Sequence, residues 1–81
     1  MKDYVETDYG QRVSLKLIRG YHFAPYKGSW YVYADTVKSR EFVVAEFETM
    51  KEAADHIDKL VAELQEYAKT LPGPIILGVL S

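Results

Sequence analysis

From residue 49 to residue 71, apolar side chains recur at every third or fourth position. Met50, Ala53, Ala54, Ile57, Leu60, Val61, Leu64, Ala68 and Leu71 fall on one stripe of an α-helix. Glu52, Asp55, His56, Lys59, Glu63, Glu66 and Lys69 fall on the opposite side. Thr49, with Glu52 three residues later, forms a capping box in which each side chain meets an otherwise orphan backbone N–H. Pro72-Gly73-Pro74 then stops the helix, because proline lacks the N–H and its ring clashes with the preceding turn. The spacing predicts a helix over 49–71, roughly six turns long.

Upstream the period changes to two. Val13, Leu15 and Leu17 alternate with Arg12, Ser14 and Lys16, which predicts a half-buried strand over 11–19. Residues 29–35 set Trp30, Val32 and Ala34 against Tyr31 and Tyr33. Residues 41–47 set Val43, Ala45 and Phe47 against Phe42, Val44 and Glu46. A polar connection over 35–41 joins these two strands as a hairpin. A weaker strand over 4–7 turns at Asp8-Tyr9-Gly10. Between Gly20 and Gly28, with Pro25 stiffening its middle, Tyr21, His22, Phe23 and Tyr26 read as an aromatic loop leading into Trp30. Residues 74–80 are short, branched and apolar, the pattern of a last strand or an extended tail. The predicted fold is α+β: a single domain over 1–81, with an antiparallel sheet of three to four strands packed on one long C-terminal helix and followed by the short apolar segment.

The length, 81 residues, bounds this picture to one core of modest stability. Cysteine is absent, which removes disulfides, thiolate zinc sites and iron–sulfur clusters. With only His22 and His56, no histidine-built metal site is expected, and no cofactor. Self-association is then the remaining way for so small a domain to gain stability. Met1-Lys2-Asp3 leads into a polar stretch and not into an apolar leader. The longest apolar run, Ile75-Ile76-Leu77-Gly78-Val79-Leu80, is far short of the ~20 residues that span a bilayer. A cytoplasmic protein without membrane contact is expected. Charge is unevenly spread: residues 1–40 hold seven Lys/Arg against four Asp/Glu, and residues 41–81 hold three against eight. The predicted sheet is thus the basic half, a polarity that draws an acidic partner toward it.

The period-two pattern has a functional consequence. One helix covers one sheet face, yet Tyr31, Tyr33, Phe42 and Val44 lie opposite the residues assigned to the core. An apolar, tyrosine-rich second face is either covered by the C-terminal segment or used for contact. The expected partner-binding residues are therefore Tyr31, Tyr33 and Phe42 on the face and Tyr26 and Trp30 at the loop, with Arg12, Lys16 and Arg19 orienting an acidic partner. These point to a non-catalytic interaction module, an accessory protein expected to be a homodimer, that binds a protein partner or itself through this face, the aromatic loop or the C-terminal strand. A second reading uses the same aromatics to stack the bases of a single-stranded nucleic acid while cations meet phosphates. The order of several strands followed by one helix resembles that of the small single-stranded-DNA-binding transcriptional coactivators, although no motif matches. Net charge of −2 weighs against it.

Catalysis has less support. There is no thiol and no serine in a Gly-x-Ser-x-Gly turn, and Gly73 and Gly78 flank an apolar run and not a helix start. His22, near Tyr21 and Tyr26, is the candidate for proton transfer if the loop lines a pocket. His56 is expected to be solvated on the polar helix face. Asp55 and Asp58, three residues apart, serve solubility.

Overall fold

A computed structural model describes residues 3–38 and 40–70. Its elements are β1 (Tyr4–Glu6), β2 (Arg12–Ser14), β3 (Ile18–Tyr26), β4 (Ser29–Thr36), β5 (Glu41–Phe47) and α1 (Met50–Lys69), with a 3-10 turn at Leu15–Leu17. β3, β4 and β5 form an antiparallel sheet in that order, β1 and β2 form a separate two-stranded ribbon, and α1 packs across the larger sheet. The expected α+β architecture is therefore present. The apolar segment at 74–80 and the expected helix end at Leu71 lie outside the described residues.

The helix follows its sequence signals. Thr49 is the N-cap, its hydroxyl oxygen accepting from the Glu52 N–H at 3.2 Å. The Glu52 carboxylate reaches back to the Thr49 hydroxyl (3.0 Å), not to the Thr49 backbone N–H that a full capping box would engage. At the other end the Thr70 hydroxyl donates to the Tyr67 carbonyl at 2.7 Å. The buried stripe is Ala53, Leu60 and Tyr67, with Ile57 and Leu64 packed between them. Met50, expected in the stripe, is 52% exposed at the first helical position.

The expected strand over 11–19 is broken. The Ser14 hydroxyl caps the Lys16 N–H at 3.3 Å and turns the backbone into the 3-10 turn. Leu15 is buried while Leu17 is 39% exposed, so the alternation there does not mark one continuous strand. The ribbon is tied to the rest by Asp8 N–H donating to the Val44 carbonyl at 2.8 Å, on the outer edge of β5. Val5 and Val13 from the ribbon join the same core as Ile18, Val32, Ala34, Val44 and Ala45.

The expected aromatic loop is a strand. β3 runs through it to Tyr26 and pairs with β4 residue for residue from Gly20↔Asp35 to Tyr26↔Ser29. Pro25 is accommodated because β3 is an edge strand, where a missing N–H costs no ladder bond. Lys27 (φ 49°) and Gly28 (φ 82°) close the hairpin in two residues of positive φ, the turn whose twist matches paired strands.

β5 brings the most consequential correction. Its register with β4 slips between Val32↔Ala45 and Tyr33↔Val43, which inserts one extra residue at Val44. A one-residue insertion reverses the side on which every later side chain stands. Phe42 therefore lies opposite Ala34 and packs on the helix side, and Val44 is buried; neither belongs to an exposed second face.

Candidate functional site

The side of the large sheet that faces away from α1 is built from alternate residues of three strands. β3 supplies His22, Ala24 and Tyr26; β4 supplies Tyr31, Tyr33 and Asp35; β5 supplies Glu46, Val43 and Glu41, paired with Tyr31, Tyr33 and Asp35, so that Val43, read with the core from its alternation, is turned to this face by the bulge. Tyr31 and Tyr33 stand outside the core packing. Four rings form a continuous ladder along this face. Tyr26 meets Tyr31 edge-on at 5.8 Å, Tyr31 lies 6.4 Å from Tyr33, and Tyr33 stacks on the His22 imidazole at 4.9 Å and 17°. At the hairpin end, the Lys27 ammonium sits over the Tyr26 ring at 5.3 Å.

Carboxylates flank the ladder at two places, at its His22 end and beside Tyr31, one ring in from the Tyr26 end that Lys27 covers. At the His22 end, Asp35 Oδ2 accepts from His22 Nδ1 at 2.9 Å, and Glu41 Oε1 lies 3.9 Å from His22 Nε2. These three side chains bring their ligand atoms within 4.8 Å of one another. One imidazole nitrogen with two carboxylates is a donor set for a divalent cation. Here Nδ1 is already engaged by Asp35, and all three groups are open to solvent. Beside Tyr31 lies a cleft of about 350 Å³ lined by Asp8, Tyr9, Ser29, Glu46, Phe47 and Glu48. The Tyr9 phenol is held above its ordinary range, by desolvation first and then by Glu46, Tyr31 and Asp8, with a hydrogen bond to Glu46 adding to the shift. Tyr9 and Glu46 thus join the cleft to the ladder at Tyr31.

Of the eight residues expected to bind a partner, the structure assembles Tyr26, Tyr31 and Tyr33. Trp30 is on the helix side, edge-on to Phe23 at 5.7 Å, and Phe42 is with it. Arg12 lies over the Tyr4 ring at 4.7 Å in the small ribbon. Lys16 is exposed in the 3-10 turn, and Arg19 is exposed where the β3–β4 register slips. None of the three cations belongs to the tyrosine ladder. His22, Asp35, Glu41 and Tyr9 were not expected there, and Glu46, on this side by its alternation, was not singled out. For His22 the signal was its alternation with Tyr21 and Phe23, which reads as a strand once Pro25 is placed on an edge.

The remaining candidates sit apart. His56 is half-buried against Phe47 (5.1 Å) and not solvated as expected; desolvation lowers its pKa below the ordinary histidine value of 6.5. Asp55 pairs with Lys51 at 2.9 Å on the exposed side of α1. Tyr21 is on the helix side, where burial and then Glu63 push its phenol far up, and its hydroxyl has no hydrogen-bond partner among the described residues. His22 is not among the residues lining the 350 Å³ cleft.

Together these features define a small α+β domain whose sheet presents an aromatic, acid-flanked face away from its only described helix. Comparison with protein-family models, with curated proteins and with solved structures finds no match. No helix among the described residues is long and apolar enough to cross a membrane.

Proposed function

We propose that the protein is a non-catalytic interaction module that binds another protein chain through the ladder Tyr26–Tyr31–Tyr33–His22. The observation that carries this reading is the position of Tyr31 and Tyr33: two large rings on a sheet face, outside the packing of the core. Tyrosine suits such a surface because its ring supplies contact area at low entropic cost and its hydroxyl stays wetted when the surface is free. The partner is a different protein or a second copy of this chain, in a cytoplasmic setting consistent with the absence of cysteine. A single-stranded nucleic acid is the weaker reading, because the phosphates would meet Asp35, Glu41 and Glu46, with Lys27 the cation over the rings among the described residues.

Site-directed photo-crosslinking in cells tests the proposal. A photoreactive phenylalanine at position 31 should give a discrete protein adduct, while the same group at position 51, on the exposed side of α1, should not. Adding Tyr33→Ser should remove the adduct without unfolding the chain. An adduct of twice the chain mass identifies a second copy. Equal labelling from positions 31 and 51, or an adduct indifferent to Tyr33→Ser, would overturn the reading.

A further inference from the structure

The charge around the ladder selects among protein partners. Asp8, Glu46 and Glu48 stand around the cleft beside Tyr31, and Asp35 and Glu41 stand at the His22 end. Lys27, over the outermost ring, is the cation placed against the ladder among the described residues. Tyrosine faces attract cations through the ring quadrupole, and carboxylates beside them supply the hydrogen-bond acceptors. A guanidinium meets both demands with one flat group, stacking on a ring while its edge engages a carboxylate; an ammonium does so less well.

The spacing of the two acidic groups is set by the strand register. Glu46 pairs with Tyr31 and Glu41 with Asp35, so the groups lie four β4 residues apart. At ~3.3 Å per residue this is ~13 Å. An extended peptide advances by nearly the same rise. Two of its side chains at positions i and i+4 point to the same side and are separated by the same ~13 Å.

We infer that the occupant of this face is an extended, arginine-containing segment of a partner protein, with two arginines four positions apart. One meets Glu46 and the cleft beside Tyr31; the other meets Asp35 and Glu41 beside Tyr33 and His22. This inference rests on the docking role proposed above and narrows it to a chemistry. It also sets aside face-to-face pairing of two copies with their strands parallel, which would place each acidic group on its own equivalent.

The test is a titration of the full-length, isotope-labelled protein, followed by backbone amide shifts. The probes are nonapeptides of glycine and serine carrying two arginines four positions apart, two arginines on adjacent positions, or two glutamates four positions apart. The first should shift the amides around Tyr31, Tyr33, Glu41 and Glu46, and bind at least several-fold more tightly than the second. Its affinity should fall as salt is raised, and by about tenfold in the Glu41→Gln, Glu46→Gln double variant, as expected for two solvent-exposed charge pairs. Both substitutions are at exposed positions, so the fold is retained, and the thermal transition of the variant checks this.

Equal binding of the glutamate peptide, equal binding of the two arginine spacings, or shifts confined to other surfaces would overturn the inference. So would an oligothymidine that occupies the same amides more tightly than the arginine peptide. The docking role fails separately. If the arginine peptides do not bind but the same amides shift with protein concentration, or with an uncharged tyrosine-containing peptide, the face docks protein and only its arginine preference is wrong. If arginine binding is unchanged by Tyr31→Ser with Tyr33→Ser, the ladder is not the surface used, and both fall.

Discussion

Replacing Phe42 by alanine tests the bulge in β5, on which the composition of the exposed face depends. With regular alternation Phe42 stands outside, and its removal is nearly free. With one residue inserted at Val44 it stands on the helix side, half-buried against the core opposite Ala34. A phenylalanine in a core buries 150–250 Å², so a half-buried ring removes ~100 Å² from water. At about 25 cal/mol per Å² its loss costs ~2.5 kcal/mol, before any cavity left behind is counted. For a chain of 81 residues, where total stability is ~4–12 kcal/mol, that is a large share.

Trp30 is the single tryptophan and packs edge-on to Phe23 beneath the helix, so its fluorescence reports unfolding in urea directly. Tyr33→Ala is the matched control from the other side of the sheet. It loses the ring contacts with His22 and Tyr31 but no packing against the core, roughly 0.5–1.5 kcal/mol. The expected order is Phe42→Ala clearly more damaging than Tyr33→Ala, with unchanged slopes against urea. A Phe42→Ala loss below about 1 kcal/mol, or one smaller than that of Tyr33→Ala, would refute the bulge and return Phe42 to the exposed face.

Lys27 takes a positive φ of 49° in the hairpin turn, which asparagine tolerates better; Lys27→Asn should raise the urea midpoint, by up to ~1 kcal/mol in stability. Thr49→Ala removes the acceptor for the Glu52 N–H and should cost ~1 kcal/mol in the same assay. His56 has its pKa lowered by desolvation, so the unfolded chain takes up its proton first as pH falls. Its share of stability is therefore intact above the ordinary histidine value of 6.5 and is lost as pH drops below it, ending at the lower folded-state value. Thermal unfolding between pH 8 and pH 5 should show this dependence flattened in His56→Gln, and an identical pH profile in the variant would count against the buried placement.

The helix and the two central strands were legible because their signals are local and repeated. Thr49 and Glu52 mark the start of α1, and Ala53, Ile57, Leu60 and Leu64 repeat the same spacing. In β4, Val32 and Ala34 alternate with Tyr31 and Tyr33, and the structure keeps that alternation. What sequence pattern missed depends on contacts with distant residues. Pro25 reads as a loop residue unless β3 is known to lie at an edge. Leu17 reads as buried unless Ser14 is known to turn the chain. The bulge at Val44 leaves no mark in the composition of β5, since Val43 and Val44 are identical side chains. Two of the three aromatics expected on the face, Tyr31 and Tyr33, came from the intact alternation of β4, and the third, Phe42, was lost to the slip in β5. The acidic groups flanking the ladder escaped detection because Asp35, Glu41 and Glu46 become neighbours of His22 and Tyr31 only through pairing between strands.

How the face is used follows from what happens at the sheet's edges. An exposed sheet can recruit a partner by adding a strand to an open edge or by docking side chains on a face. The outer edge of β5 is partly occupied by the β1–β2 ribbon, through the Asp8 N–H bond to the Val44 carbonyl. The outer edge of β3 carries Pro25, which has no N–H to offer, and the charged Arg19 at the register slip near its start. Both are devices that discourage strand addition. The face between these edges has neither device: its rings are large, adjacent and outside the core. On the proposed reading, its carboxylates disfavour phosphate and favour a cationic segment. A partner recognised this way binds through side chains at fixed spacing and not through a continued backbone ladder. Scrambling the partner's arginine spacing should therefore weaken binding more than placing a proline between the two arginines.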